Sequence, residues 1–107
     1  MKFESVSKGC ILVAAAGNDN TSQSLYPASY SKVIGVSATD KDDRKASFSN
    51  FGTYVHCSAP GVGIYTTMLD GEYGLMSGTS ASCAFVSGMV GLLLSREPNL
   101  APNQVID

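Results

Sequence analysis

Apolar residues in this chain come in short unbroken runs divided by polar loops, followed by one long apolar stretch. The run ILVAAA (11–16) is apolar at both side-chain parities. A strand of that kind is covered on both faces, as in the middle of a parallel sheet. KVIGVSA (32–38) repeats the pattern, and YVHCSAPG (54–61) predicts a third strand stopped by Pro60 and Gly61. GIYTTM (63–68) predicts a short fourth, and GNDNTSQS, TDKDDR and DGEYG read as loop and turns. Residues 79–95 then predict a helix that is small or apolar all round, with Ala81, Cys83, Val86, Met89 and Leu92 spread around it. Such a helix is expected to be central and buried. Pro98 ends it, and Pro102 suits the first position of another helix in APNQVID. Residues 2–8 read as a helix tail capped at Gly9. The fold class is α/β, a parallel sheet with a buried central helix. Both chain ends are expected to fall inside elements.

Composition narrows the function classes. A length of 107 residues fits one domain at most. Apolar residues at 44% against charged residues at 15% mark a chain that buries a core. The net charge of −2 and the scattered basic residues exclude the basic stripe of a nucleic-acid binder. No apolar run reaches membrane-spanning length. Cys10, Cys57 and Cys83 lack zinc-site spacing and read as buried small hydrophobes.

The chemistry concentrates in SGTSASCAFVSG (77–88). A hydroxyl at a helix start is usually a cap. A nucleophile placed there gains unpaired backbone N–H groups and the positive end of the helix dipole, which favour a developing oxyanion. Gly78 allows close approach to the backbone. A phosphate-binding loop is excluded, since it needs Lys after its glycine and Thr79 follows Gly78. Asn18 ends the first strand in AAAGN, where ligand groups gather in parallel sheets. It reads either as a turn residue or as a side-chain amide aimed at an oxyanion.

Four stretches in this order and spacing, GCILVAAAGN, YPASYSKVIGVSATDKDDRKASFSNFG, APGVGIYTT and SGTSASCAFVSGMVGLLLS, resemble the subtilisin-like serine proteases, thermitase-like members above all. The resemblance runs nearly end to end. It implies an incomplete subtilisin-like fold, with residues 1–107 as the C-terminal portion of a catalytic domain truncated at both ends. Ser80 takes the place of the acyl-forming nucleophile and Asn18 that of the side-chain donor of the oxyanion hole, with the Ser80 N–H as companion. Gly78 and Thr79 stand beside that hole. Ala15, Ala16 and Gly17 match one wall of the pocket for the residue before the scissile bond, and Leu25 matches its floor, which implies apolar or medium side chains there. Tyr26–Pro27 matches the family's cis aromatic–proline step. The carbonyls of Ala28, Tyr30 and Val33 match a weak cation site, whose carboxylates are replaced by Tyr54 and His56. A structural calcium is thus an implication for the parent domain only, and the chemistry itself requires no cofactor.

Two residues depart from the family pattern. Ala84 stands where Pro is expected and Phe85 where His is expected. Ala restores a backbone N–H and is the best helix former.

A serine hydroxyl needs a histidine base oriented by a carboxylate, and in this family both precede the serine. The single histidine, His56, lies in a strand segment, and no aspartate sits in a matching motif. The expectation is a serine endopeptidase fragment that carries nucleophile and oxyanion hole and is inactive alone. Its partners are then a peptide or protein substrate and the N-terminal half of the domain, with no nucleic acid and no membrane. The resemblance implies a secreted or extracytoplasmic parent. The alternative is a non-catalytic peptide-binding or assembly module of the same fold, which pairs an extended peptide with an exposed sheet edge.

Overall fold

A computed structural model describes residues 8–101, 104 and 105. Its elements are β1 (Leu12–Ala15), β2 (Val33–Thr39), β3 (Val55–Pro60), β4 (Ile64–Thr67), β5 (Tyr73–Met76) and one long helix, α1 (Thr79–Arg96). Strands β1, β2 and β3 form a parallel sheet in that order, with Leu12 beside Val33 and Val36 beside Cys57. The two-residue period of the central strand divides its apolar residues between two faces. Ile34 and Val36 pack with Val86 and Val90 of α1, joined by Ile11, Val13, Cys57 and Ala59. Val33 faces the other way, onto Ala14 and Ala28, with Leu12, Tyr30 and Tyr54. Both faces of β2 are therefore covered, as the apolar runs require.

The fourth strand does not join this sheet. β4 pairs antiparallel with β5 in a separate hairpin, Ile64 opposite Met76 and Thr67 opposite Tyr73. The segment DGEYG, read as a turn, holds only the end of a short 3₁₀ turn (Leu69–Gly71) and the first residues of β5. Asp70 and Gly71 take the left-handed φ values of 59° and 74° that reverse the chain. Gly74 interrupts the apolar alternation of β5, so no strand signal stands out. Stacked rings of Tyr65 and Tyr73, 5.7 Å apart, brace the hairpin.

The helix also differs from its expected surroundings. Val86 and Val90 are buried against the sheet, but Met89 and Leu92 are 68% and 72% exposed and Phe85 is half exposed. Among the described residues nothing packs over that side. Apolar grooves run along both flanks, one of about 410 Å³ lined by His56, Val86 and Leu93, the other of about 720 Å³ lined by Tyr65, Ser80 and Leu92. Exposed apolar surface on this scale favours association. The 107-residue chain is expected to self-associate, with a sedimentation coefficient that rises with concentration. A concentration-independent monomer with a sharp thermal transition would contradict this.

Other local features depart from expectation or extend it. Cys10 is exposed rather than buried, while Cys57 and Cys83 are half-buried. Burial pushes both of their thiols up, and for Cys57 the neighbouring Cys83 adds to it. Residues 2–7 and Pro102 lie outside the described residues. Gly9 has the positive φ of a cap, and Gln104 and Val105 are helical, with the Ala101 N–H donating to the Gln104 side chain at 2.7 Å. In the turn after β2, Asp40 accepts N–H bonds from Asp42 and Arg44 at 2.9 and 3.0 Å. The Arg44 and Asp42 amides hold its carboxyl below the ordinary aspartate value. Its small stabilising effect is present above the unfolded pKa and disappears as pH falls through the lowered folded value.

Candidate active site

The start of α1 is tied down at three places. The Gly78 N–H donates to the Gly61 carbonyl at 2.8 Å, which fixes the helix entry to the end of β3. The Ser82 hydroxyl, fully buried, donates to the Ala59 carbonyl at 2.8 Å, with Pro60 O at 3.1 Å. The Thr79 N–H donates to Asn18 Oδ1 at 2.9 Å. Asn18 thus caps the helix from outside it, satisfying one of the N–H groups that a helix start leaves unpaired. Gly78 itself makes no side-chain cap and takes φ 147°, a region in which a side chain is strained.

These bonds decide how Asn18 is turned. A backbone N–H can only donate, so the Asn18 atom facing Thr79 is the oxygen. The Thr79 hydroxyl, 2.9 Å from that same oxygen, also accepts from the Gly17 N–H at 3.1 Å, so its own proton goes to Asn18. The Asn18 Nδ2 is left free to face outward. It lies 3.6 Å from the point where a Cβ on Gly78 would stand, and the Ser80 N–H nitrogen lies 3.8 Å from that same point. Two donors therefore converge over the bare Cα of Gly78. A side chain at residue 78 would stand in van der Waals contact with both donors.

Ser80 is exposed, at the second position of α1 and on the rim of the larger groove. Thr79 behind it is 1% exposed and presents nothing to a substrate; its contribution is to orient Asn18. Helix α1 runs without a break through Ala84, which an Ala in place of Pro permits. Phe85 contributes to both grooves.

The residues matched to the pocket wall lie together at the end of β1. Ala15 is half-buried, and Ala16 and Gly17 are buried. Leu25 packs on Gly17, its Cδ2 standing 2.7 Å from where a Cβ would be, so an apolar side chain fills the space beside the wall. The Tyr26–Pro27 bond is cis.

The matched cation-site set consists of backbone carbonyls alone, and Tyr30 O accepts from the Val33 N–H at 3.3 Å. His56, the residue standing where a carboxylate is implied, turns its Nδ1 to accept from the Gly35 N–H at 3.0 Å. Among the described residues no group of three or more His, Cys, Asp or Glu side chains could hold a metal ion. Hard cations want several oxygens, carboxylates foremost. These residues do not fit a tightly held cation.

His56 is also remote in function from Ser80. It sits at a register shift between β2 and β3, which frees its ring to replace a ladder bond. It lines the groove on the opposite flank of α1 from Ser80.

Sequence reasoning passed over the residues that hold this arrangement. Asn50, 1% exposed, accepts from the Asp19 and Thr21 N–H groups at 2.9 and 3.3 Å and donates to the Ala16 carbonyl at 3.0 Å. The Tyr54 hydroxyl donates to that same carbonyl at 2.9 Å. Lys45 Nζ donates to Asn20 Oδ1 at 2.7 Å and lies 5.4 Å from the Phe51 ring centre. An asparagine inside the loop ASFSNFG carries no local mark of such a role.

Comparison with known proteins agrees with this architecture. The subtilase family pattern matches residues 1–107. The chain is 50% identical over 93 residues to a thermophilic serine proteinase of Bacillus sp. (strain AK1), covering 87% of this chain and 23% of that protein. It is 46% identical over 90 residues to thermitase of Thermoactinomyces vulgaris, covering 84% of this chain and 32% of thermitase. A crystal structure of a cold-adapted subtilisin-like serine proteinase superposes with a TM-score of 0.92 at 34% identity, over 96% of this chain and 38% of that one. The chain belongs to the subtilase family. It spans between about a quarter and two fifths of the length of these relatives.

Proposed function

We propose that this chain supplies the nucleophile and oxyanion hole of a serine endopeptidase acting on peptide or protein substrates. The observation that carries the reading is the convergence of Asn18 Nδ2 and the Ser80 N–H over Gly78, beside an exposed serine. The Ser80 hydroxyl attacks the scissile carbonyl, and a histidine from another part of the catalytic domain takes its proton. The carbonyl oxygen, now anionic, moves between the two donors, which are already oriented and need no rearrangement as charge develops. Collapse expels the amine, protonated by the histidine, and leaves the acyl group on Ser80. Water, activated by the same histidine, then releases the acid. The Leu25–Gly17 contact supports a preference for apolar or medium side chains before the scissile bond. The family resemblance supports action outside the cytoplasm, and no described helix is long and apolar enough to cross a membrane.

The missing base makes a sharp prediction. His56 lines the wrong flank of α1, so Ser80 in this chain alone is a weak nucleophile. A fluorophosphonate probe is expected to label it slowly. Supplying the N-terminal half of a subtilase catalytic domain should accelerate labelling at Ser80 and restore amide hydrolysis, and Ser80→Ala should abolish both. Rapid labelling of the chain alone, or peptide binding without turnover in the assembly, would overturn this reading. The second result would favour the binding-module alternative.

A further inference from the structure

The donor side chain Asn18 sits on a loop whose backbone is gripped on both sides by a single residue. Ala16 directly follows β1, and residues 17–21 form the loop beyond it. Asn50 meets this turn at four backbone groups: its Nδ2 at Ala16 O, its own N–H at Gly17 O (2.9 Å), and its Oδ1 at the Asp19 and Thr21 N–H groups. The groups span Asn18 from two residues before to three after. The amide orientation of Asn50 is unambiguous, because two N–H donors require oxygen on one side and a carbonyl requires nitrogen on the other. Asn50 is itself held from behind, its own carbonyl accepting from the buried Ser49 hydroxyl at 3.0 Å. Glycine at position 17 belongs to the same device. Its φ of 112° shapes the turn, and a Cβ there would overlap Asn50 Nδ2.

We propose that Asn50 is a positioning residue of the oxyanion hole, acting through the 16–21 turn to hold Asn18 Nδ2 at its place over Gly78. This rests on the proposed catalytic role of Asn18. The Thr79 contacts fix which way the Asn18 amide is rotated, whereas Asn50 fixes where its Cα stands. A donor displaced by about 1 Å loses much of its effect on rate. Loss of Asn50 therefore acts on turnover rather than on substrate affinity.

Two measurements test it. The first is hydrogen exchange on the 107-residue chain and needs no activity. Asn50→Ala, with Asn50→Ser as a gentler truncation, is expected to speed exchange at the Asp19 and Thr21 amides about tenfold, while β2 amides keep their rates. Unchanged Asp19 and Thr21 amides in the truncated variants, or equal acceleration in β2, would overturn the proposal.

The second is amide hydrolysis by the assembly with an N-terminal half. Asn50→Ser should lower kcat about tenfold or more with little change in KM, and should cost almost nothing further once Asn18 is already Ala. Losses that multiply would show that Asn50 does not act through Asn18. Failure of the unmutated assembly to turn over any amide would strike at the proposed function instead, and the exchange rates would still decide what Asn50 holds.

Discussion

Asn18→Ala is expected to lower kcat of the assembled enzyme roughly 100- to 1000-fold, with KM little changed. That magnitude is the one known for the equivalent side-chain donor in subtilisin and is carried here by family membership. On the proposed mechanism the effect falls on turnover. Asn18 Nδ2 and the Ser80 N–H, which both lie near the bare Cα of Gly78, would bind the oxygen more strongly as an oxyanion than as a ground-state carbonyl. The substitution removes a second thing as well, the acceptor for the Thr79 N–H and hydroxyl. Asn18→Asp separates the two. It keeps the acceptor, so α1 remains capped, but it puts a carboxylate where the donor was and repels the oxyanion. Similar or greater loss of kcat in Asn18→Asp, with unchanged thermal stability, identifies the donor as the catalytic element. Activity close to that of the unmutated assembly in either variant would remove Asn18 from the mechanism.

The second large effect is structural. Gly61→Ala is expected to destabilise the fold by about 3 kcal/mol, a large part of the roughly 5–15 kcal/mol that holds a typical domain. A Cβ on residue 61 would stand 2.7 Å from Ala38 Cβ and 2.8 Å from the Gly78 carbonyl, and would overlap the Ser82 hydroxyl. Two of these neighbours are parts of the sheet and helix-entry framework that cannot swing aside, and Ser82 is the buried anchor to Ala59. Relief therefore requires α1 to move away from β3, and Ser80 moves with it. Gly88, in the exposed part of the same helix, is the counterpart with opposite sign. Nothing lies within 4 Å of its added Cβ. Gly88→Ala should gain up to about 1 kcal/mol from helix propensity. Urea unfolding midpoints of the two variants, one below and one above the parent chain, are the check. A Gly61→Ala variant as stable as the parent would mean that the helix entry is not closely packed on β3.

Much of the fold was legible because strand and helix signals are local. The runs 11–16, 32–38 and 54–61 hold β1, β2 and β3 to within a residue or so at each end. The helix over 79–95 is α1 with one more residue. β5 was not legible, since YGLM is short, exposed and broken by Gly74, and its strand state comes from pairing with β4. Nor was the exposure of Met89 and Leu92, because an apolar side chain records what it prefers and not what is there to cover it. Cys10 went the same way: its residue type favours burial, but its place before β1 leaves it exposed.

The candidate site divides along the same line. Residue types and spacing alone singled out Ser80, Gly78 and Asn18, because a nucleophile at a helix start and an amide at a strand end are patterns of neighbours in the chain. Which atom of Asn18 is turned outward, and that Thr79 turns it, depends on bonds between residues 61 apart. The grip of Asn50 on the turn spans 29 to 34 residues for its side-chain bonds. Hydrogen bonds have direction and reach about 3 Å, so only the folded chain decides which donors and acceptors meet. The order of residues settles what chemistry is available, and the tertiary structure settles where it points.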